Sequence, residues 1–425
     1  QACRCAEDQA PGAMRPRGLN GFGSMKLGVL ALLAVGVALG EDITCEPANN
    51  KNTMCKLRVG MIGGANSLWG KLHKGSIVAP GTRKIVAGAF SSDPEKSLER
   101  AKELGVTGYK TWNDMLEAHR KGDQYLDYVV ILTPNKHHFA PVKAFLEAGV
   151  GVLCEKPMTM TVAEAEEIDS IVAKQQVPFT LSQSFMGHPM VMQAKDLIRN
   201  GRIGDVQRLE TWYNQEWGSR WAGYAWRADP KAAGLAGAGF DALLNPFTVA
   251  TWVTGQPLKR LTARTQTFTK GREMPEAVSV LGELENGALA VMQANIAAVG
   301  HRNEHGFRIF GSKGSLEWQL GNPGVLTLRD LDLHPTIFTV GQYPAGLSPS
   351  VVTYPHDAAV ANMHLTMERA IRRKNKEEVA EPFDHPGSND GLAAMRFVSA
   401  VVESAKNSGA WTDVSTKGAG GGFWR

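Results

Sequence analysis

The sequence predicts an α/β protein with two unlike sheets: a parallel sheet in the first half, then a large, open, mostly antiparallel sheet. Between residues 57 and 182, short apolar runs alternate with helix-like segments, which is typical of a parallel sheet covered on both faces. The first run breaks at Gly63 and Gly64 and continues as a helix. After about residue 184 the segments become longer, aromatic-rich and alternating, which indicates strands with one face open to solvent.

The strands of the first half are nearly continuous apolar runs. The segment after the second run carries clear helix signals: Asp93 suits an N-cap, Pro94 the first helical position and Gly105 the C-terminal stop. Further helices are predicted at 141–147 and 163–175. The strand-bearing segments are LRVGMIGGANSLWGKLHK (57–74), KIVAGAF (84–90), YVVILTPN (128–135), VGVLCEKP (150–157) and VPFTLS (177–182).

The second half is predicted to hold five strand-bearing segments and four helices. The helices are expected at 190–200, 240–254, 357–373 and 390–406. The strand segments are VQRLETWYNQEW (206–217), RLTARTQTFT (260–269), AVSVLGELENGALAVMQANIA (277–297), FRIFGSKGSLEW (307–318) and GVLTLRD (324–330).

Composition and charge restrict the class of protein. The 425 residues are 43% hydrophobic and carry a formal net charge of +4, from 46 basic and 42 acidic side chains. This balance, with no basic stripe, argues against nucleic-acid and membrane partners. Four of the five cysteines precede the first strand, and no CxxC spacing occurs, so we predict neither a disulfide framework nor a metal site.

The first 55 residues are predicted to stand apart from the fold. Arg15, Arg17 and Lys26 precede the apolar run LGVLALLAVGVALG (27–40), which is shorter than the ~20 residues of a membrane span. The run fits a signal-peptide core, with Met25 as the start. Two interpretations stay open: a leader that directs the protein to the secretory pathway or an organelle, or a poorly ordered extension of a cytoplasmic protein.

The turn after the first strand has the context of a dinucleotide-binding loop. In GMIGGANSLWG, Gly63 fits the first glycine of the usual pattern, whereas Ala65 and Leu68 occupy the second and third positions. Alone, the motif is equally a structural turn, but within a βαβ series it predicts pyrophosphate binding. We therefore expect Gly63, Gly64, Ala65, Asn66 and Ser67 to contact the cofactor.

The end of the second strand bears on cofactor choice. A carboxylate usually holds the ribose 2′-hydroxyl there, but this strand ends in Ser91 and Ser92, and Asp93 is better used as a cap. Either NAD or NADP can bind, and we favour NADP because no carboxylate would repel a 2′-phosphate. Lys96 or Arg100 could face that phosphate or simply lie on a solvated helix face.

Two further motifs follow the third and fourth strands, at the edge where open α/β sheets bind ligands. TPNKHH follows the third strand, and CEKP ends the fourth. Thr133, Pro134, Asn135 and His138 are predicted cofactor contacts. Glu155, Lys156 and Pro157 either belong to the same site or form only a polar end of the strand, and their assignment as cofactor contacts rests on the resemblance given next.

The series GMIGG, TPNKHH, CEKP, WRADP (226–230) and FGSKGSLEW (310–318) resembles the Gfo/Idh/MocA oxidoreductases, the group of glucose–fructose oxidoreductase, inositol dehydrogenase and dihydrodiol dehydrogenase. The likeness covers residues 56–415. It implies a Rossmann NAD(P)-binding domain (56–183) and a C-terminal substrate and oligomerisation domain (184–415). It also implies a homodimer or homotetramer formed through the second sheet. Composition alone predicts the leader (1–55) and a flexible, glycine-rich tail (416–425).

The resemblance assigns roles to specific residues. Lys156 matches the lysine that bridges the nicotinamide ribose and the reacting hydroxyl, and a cis peptide is often found before the following proline, here Pro157. Glu155 is expected to orient its neighbours. Asp241 matches the family's aspartate, but Asn245 replaces its histidine, and an amide cannot carry a proton. Leu243, where glycine is common, is expected to crowd the site.

The expected substrate is a sugar, anhydrosugar, polyol or cyclic diol. Arg227 is expected to fix its hydroxyls or to pair with Asp229. Tyr213 and Trp217, which alternate with Gln215 on one strand, either stack on the substrate or belong to the core. His301, Glu304 and His305 are expected in a solvent-exposed loop, with no metal.

Two functions remain as hypotheses. The first is an NAD(P)-dependent dehydrogenase or reductase acting on CH–OH groups, with Lys156 as proton donor or acceptor. The alternative, motivated by Asn245 and Leu243, is a catalytically silent NAD(P)-binding regulator or sensor with the same fold.

Overall fold

The computed structural model describes residues 55–65, 67–220, 225–332, 334–340, 356–381 and 384–414. The predicted leader up to residue 54, the tail after 415 and the cofactor candidate Asn66 therefore lie outside the described residues. Cys154 is a free, buried thiol. Cys55 is disulfide-bonded, so the expectation of no disulfide was wrong for this residue. Within the described ranges, no helix is long and apolar enough to cross a membrane.

The first sheet has six parallel strands in the order β3-β2-β1-β4-β5-β6. The strands are β1 (Leu57–Gly63), β2 (Arg83–Ala89), β3 (Thr107–Gly108), β4 (Tyr128–Leu132), β5 (Gly151–Glu155) and β6 (Phe179–Ser182). Five helices connect them: α1 (Leu68–Val78), α2 (Pro94–Leu104), α3 (Trp112–Lys121), α4 (Phe139–Glu147) and α5 (Val162–Gln175). The order reverses between β1 and β4, which creates the crevice where such sheets bind ligands.

Helix boundaries in this half follow the predicted caps. The Asp93 carboxylate accepts a hydrogen bond from the Glu95 amide at 3.1 Å, and Gly105 ends α2 with φ of +65°. A glycine suits that left-handed position because it has no Cβ.

The second sheet has nine strands in the order β14-β13-β12-β11-β7-β10-β9-β8-β15. Among the strands that the structure describes, only the β7–β10 pair of this sheet is parallel, so the predicted mostly antiparallel sheet is confirmed. The strands are β7 (Val206–Asn214), β8 (Leu258–Gln266), β9 (Ala277–Leu284), β10 (Leu289–Asn295), β11 (Glu304–Gly311), β12 (Gly314–Gln319), β13 (Val325–Asp330), β14 (Pro335–Thr339) and β15 (Thr412–Asp413).

Helices cover one face of the second sheet and also link it to the first. The helices of this half are α6 (Pro189–Arg199), α7 (Trp217–Arg220), α8 (Pro230–Ala233), α9 (Gly239–Thr248), α10 (Asp357–Lys374) and α11 (Ser388–Lys406). Helix α11 packs on both α5 and β8, and α9 packs on β7 and β10. Helix α10 comes late in the chain, yet its apolar face, with Met363 and Met367, packs on the first sheet beside α1.

Candidate active site

A cleft of about 1390 Å³ lies at the carboxyl ends of the first sheet's strands. One wall is formed by the turns after β1, β2, β4, β5 and β6, and the opposite wall comes from α9 and the segments around β7 and β11. The cleft therefore combines the crevice of an open parallel sheet with side chains from the second half, which is a common arrangement for cofactor and substrate sites.

The glycine turn after β1 forms a cradle that only glycine can build. Gly63 and Gly64 both adopt φ of +74°, and a Cβ on Gly70 would lie 1.6 Å from the Gly64 carbonyl oxygen. Ser67 caps α1 by accepting a hydrogen bond from the Gly70 amide at 2.9 Å. The close approach of the loop to the helix N-terminus fits a dinucleotide pyrophosphate, which needs near backbone contact and a positive helix end.

Ser91 and the first turns of α2 extend this wall. Ser91, Lys96 and Arg100 line the cleft, whereas Ser92 does not. Lys96 lies 3.3 Å from the Asp93 carboxylate, and Arg100 lies 2.6 Å from Glu103. Both ion pairs are at the surface, where such pairs are weak, so either cation can turn toward an anionic ligand.

The turn after β4 presents Thr133, Pro134 and Asn135 to the cleft. Asn135 is also a structural link, since its side-chain amide donates to the Ala233 carbonyl at 2.8 Å. His138 is placed differently from the prediction. It is fully buried outside the lining, with its ring nitrogens each 2.7 Å from the Pro157 and Thr133 carbonyl oxygens, and burial lowers its pKa.

Lys156 and Asp241 meet at the centre of the cleft. The Lys156 ammonium donates at 2.8 Å both to the Asp241 carboxylate and to the Asp241 main-chain oxygen. Arg227 approaches the second carboxylate oxygen, with its Nε at 3.7 Å. The lysine and aspartate side chains are 18% and 14% exposed, so the pair is partly shielded from water but open to a ligand.

Glu155 lies beside this pair and is held by neutral donors. Its carboxylate accepts from the Ser182 hydroxyl at 2.7 Å and from the Lys156 amide at 3.2 Å. The peptide bond between Lys156 and Pro157 is cis, as the resemblance implied. Glu155, Lys156 and Ser182 line the cleft, whereas Pro157 does not.

Asn245 follows Asp241 by one turn of α9 and faces the same cleft. Its side-chain amide is buried and donates to the Ala242 carbonyl at 3.2 Å. Leu243 does not crowd the site. It is fully buried in the hydrophobic core because, two residues along a helix, it points away from Asp241.

The outer end of the cleft is both aromatic and polar. Tyr213 and Trp217 line it, with Gln215 and Trp226. The Gln215 side-chain amide donates hydrogen bonds to the Tyr213 hydroxyl and to the side-chain carbonyl oxygen of Asn303. Flat rings and fixed amides together suit a ring that carries hydroxyl groups.

An aromatic floor lies beneath this end of the cleft; it consists of Phe185, His188, Tyr213, His305, Trp318 and His356. His305 is part of buried strand β11, so its expected place in an exposed loop was wrong; its Nδ1 lies 2.7 Å from the Trp212 carbonyl. Burial lowers the pKa of His305 and of His356 to about 4. These rings are therefore uncharged near neutral pH.

Several lining residues were not predicted. Ser184 and Phe185 follow β6 directly, and the rule that ligands bind beyond the carboxyl ends of parallel strands would have found them. Asn303, Leu320 and His356 also line the cleft, but they come from distant segments that carry no local sequence signal. Of the predicted contacts, Gly63 lies outside the lining together with Ser92, His138 and Pro157.

The described residues contain no group of three or more histidine, cysteine, aspartate or glutamate side chains that could hold a metal. The cleft presents ammonium, carboxylate, amide and backbone groups to a ligand.

Comparison with known proteins assigns the chain to a family. Residues 57–183 match the model for the oxidoreductase family with an NAD-binding Rossmann fold, and residues 191–317 match the GFO/IDH/MocA C-terminal domain. The uncharacterized oxidoreductase YfiI of Bacillus subtilis is 28% identical over 88% of this chain and 98% of its own length. Levoglucosan dehydrogenase of Pseudarthrobacter phenanthrenivorans is 27% identical over 62% of this chain and 73% of its own length.

A solved structure gives the same result. The inositol dehydrogenase homolog from Azotobacter vinelandii, complexed with NADH and myo-inositol, superimposes with a TM-score of 0.74 at 25% identity, covering 86% of this chain and 100% of that one. The parallel first sheet, its glycine cradle and the matches in both halves lead to one conclusion: the chain is an oxidoreductase of the Gfo/Idh/MocA family, with the family's NAD-binding Rossmann fold.

Proposed function

We propose that the protein is an NAD(P)-dependent dehydrogenase or reductase that acts on a hydroxyl or carbonyl carbon of a sugar, anhydrosugar, polyol or cyclic diol. Lys156 is the proton donor or acceptor. The observation that carries this proposal is the position of the Lys156–Asp241 pair, at 2.8 Å, between the glycine cradle and the aromatic outer end of one cleft.

When bound, the nicotinamide supplies the hydride chemistry. The protein must then move a proton to or from the substrate oxygen, which requires a titratable group within hydrogen-bond reach. Lys156 is such a group, and two Asp241 oxygens fix its ammonium. Asn245 can hydrogen-bond a substrate hydroxyl but cannot take its proton. Arg227, beside Asp241, is suited to orient a second hydroxyl.

The residues that would hold the nucleotide are Gly64, Ala65, Ser67 and the Thr133–Asn135 turn. We favour NADP over NAD because Ser91, Lys96 and Arg100 line the end of the cleft next to β2. A 2′-phosphate there would gain charge-assisted hydrogen bonds. If so, Arg100→Ala will reduce kcat/KM for NADPH by about tenfold or more and leave NADH almost unaffected; an equal effect on both would contradict the preference.

The substrate class follows from the outer end of the cleft and from the relatives. Tyr213, Trp217 and Trp226 offer rings for stacking, and Gln215 and Asn303 offer fixed amides. The relatives named above include a levoglucosan dehydrogenase and a homolog bound to myo-inositol. Levoglucosan and myo-inositol are both cyclic compounds rich in hydroxyl groups. A cyclic substrate rich in hydroxyl groups would therefore suit this cleft.

The direct test mixes purified protein with NADP or NAD and a panel of cyclic sugars and polyols while the absorbance of the reduced nicotinamide is followed. Lys156→Ala is expected to lower kcat by at least about a hundredfold while the Kd for nucleotide changes little. Lys121→Ala, which alters an exposed lysine at the end of α3, is the matched control. Full activity of Lys156→Ala would refute the assignment.

A catalytically silent regulator is the second candidate, and Asn245 is the observation that favours it. This hypothesis predicts nucleotide binding without turnover of any substrate in the panel. The Lys156–Asp241 pair supports the enzyme instead, because a binding protein has no chemical need for a lysine held in that position.

We also propose that the uncovered face of the second sheet joins copies of the chain. Leu289 and Phe310 both pair in register with Arg208, so the three side chains form one row, and both apolar residues are exposed. Light scattering is expected to give a dimer or tetramer, and Phe310→Glu with Leu289→Glu is expected to shift it toward monomer. A wild-type monomer would contradict this.

A further inference from the structure

A chain of four side chains, of which three are buried, links β4, α10 and α1 and ends at Glu155. The Tyr128 hydroxyl lies 2.9 Å from His364 Nδ1, and His364 Nε2 lies 2.9 Å from His73 Nδ1. His73 Nε2 then faces the Glu155 carboxylate at 3.6 Å. Tyr128, His73 and His364 are fully buried. They belong to β4, α1 and α10, while Glu155 ends β5.

The direction of the hydrogen bonds along these four side chains is set by the two at the ends, Tyr128 and Glu155. Burial raises the pKa of Tyr128 and lowers that of His364, so the phenol keeps its proton and the imidazole has only one. If Tyr128 donates to His364 Nδ1, the His364 proton is on Nε2 and is donated to His73 Nδ1. The His73 proton is then on Nε2 and points at Glu155.

The opposite direction is unfavourable. For a neutral His73, it would place the lone pair of Nε2 against a carboxylate oxygen, so two acceptors would face each other. Among the described residues, His73 Nε2 has no hydrogen-bond partner within normal distance, which makes the Glu155 carboxylate the acceptor that it faces. The carboxylate thus fixes the tautomers of both histidines.

Glu155 is the one member of the chain that reaches the cleft. It accepts hydrogen bonds from Ser182 and the Lys156 amide, His73 Nε2 faces it at 3.6 Å, and the Lys156 ammonium is bound to Asp241 instead. In the described residues, no lysine or arginine side chain forms an ion pair with Glu155. Its negative charge is therefore fixed in place and remains available to act on a ligand beside Lys156.

We propose that Tyr128, His364 and His73 are positioning residues that hold Glu155 as a fixed anion facing the nicotinamide end of the cleft, where it favours the oxidised, cationic cofactor over the reduced one. This inference rests on the proposed function, because it takes the nicotinamide to lie beside Lys156. The physical reason is that a nearby negative charge in a partly buried site attracts a cationic ring and has little effect on a neutral one. Helix α10, late in the chain, thereby tunes the redox preference of the first half.

Isothermal titration of the full-length protein with NADP⁺ and NADPH, and with NAD⁺ and NADH, tests the inference without an activity assay. The quantity of interest is the ratio of Kd for the oxidised form to Kd for the reduced form. We expect Glu155→Gln to raise this ratio about tenfold. His73→Phe and His364→Phe, which leave Glu155 intact, are expected to raise it several-fold in the same direction.

Conservative variants separate this role from a merely structural one. Glutamine at position 73 has an oxygen to accept from His364 and an amide to donate to Glu155, so His73→Gln should restore a wild-type ratio. A packing defect would instead weaken both cofactor forms equally. His119→Phe, which alters a half-buried histidine of α3 outside the cleft lining, is expected to change thermal stability but not the ratio.

The outcomes distinguish this inference from the proposed function. An unchanged ratio in the His73→Phe or His364→Phe protein, with both forms still bound, would overturn the inference alone. Failure of the wild-type protein to bind either nucleotide would overturn the proposed function and the inference together. Should the phenylalanine variants not fold, Glu155→Gln decides, since an unchanged ratio there removes the charge effect on which the inference depends.

Discussion

The substitution Gly70→Ala tests the nucleotide cradle. Gly70 lies in the first turn of α1, and an added Cβ would be 1.6 Å from the Gly64 carbonyl oxygen and 2.6 Å from its carbon. Real Cβ contacts essentially never fall below 3.0 Å, so the carbonyl must retreat by about 1.4 Å. Overpacking of this kind costs roughly 1–3 kcal/mol, and the displaced loop can no longer follow a pyrophosphate. We expect the Kd for nucleotide to rise at least about tenfold.

A matched control lies one and a half turns further along the same helix. A Cβ on Gly75 would meet nothing within 4 Å, so Gly75→Ala should stabilise α1 by up to about 1 kcal/mol and leave nucleotide binding unchanged. Calorimetric titration gives the Kd of each variant, and thermal unfolding shows whether each is folded. Wild-type nucleotide affinity in a folded Gly70→Ala protein would refute the proposed cradle.

Three further predictions concern stability. Glu276 is fully buried, and its carboxylate accepts hydrogen bonds from two backbone amides, the Thr269 hydroxyl and Arg272. Glu276→Gln should therefore lower the free energy of unfolding, measured in urea, by about 3 kcal/mol. A decrease of less than about 1 kcal/mol would contradict this. Ala238 has φ of +48° and ψ of −122°, so Ala238→Gly should gain about 1 kcal/mol and raise the Tm. The folded state lowers the pKa of His305 to about 4, so the unfolded chain binds the proton first. Stability should fall as pH drops from about 6.5 toward 4, and less so in His305→Gln, as unfolding at several pH values will show.

The first sheet could be predicted because its signals are local. Strands β1, β2, β4 and β5 are mostly apolar, and the caps at Asp93 and Gly105 act within a few residues. Strand β3 consists only of Thr107 and Gly108, carries no apolar pattern and was not predicted. Strand β14 was missed because it lies at the sheet edge with mostly exposed side chains and has no apolar pattern. The docking of α10 was beyond prediction for a different reason. An amphipathic pattern shows that Met363 and Met367 are buried, but not which sheet covers them.

The candidate site likewise contains some residues that local sequence signals predict and others that they do not. Lys156 and the glycine turn follow from strand ends, whereas Asp241, 85 residues later, was placed by family resemblance alone. The expectation that Leu243 would crowd the site was wrong, and the spacing of these residues along a helix already excluded it. Residues four apart share a helix face and residues two apart do not, so Asp241 and Asn245 line the cleft and Leu243 belongs to the core. His305 was misplaced because its polar neighbours suggested a loop, although β11 begins one residue earlier.

Asn245 stands where the family usually has a histidine, so the proposed proton transfer depends on Lys156 and the groups around it. With an amide at that position, the proposed role of proton carrier for a substrate hydroxyl rests on Lys156. Asp241 shares its carboxylate between Lys156 at 2.8 Å and Arg227 at 3.7 Å, so its charge is divided between two cations. Glu155, which His73 Nε2 faces at 3.6 Å, adds a second carboxylate to the cleft lining. In the roles that we propose, Asp241 orients Lys156 as the proton carrier while Glu155 acts on the cofactor, so neither carboxylate has to do both.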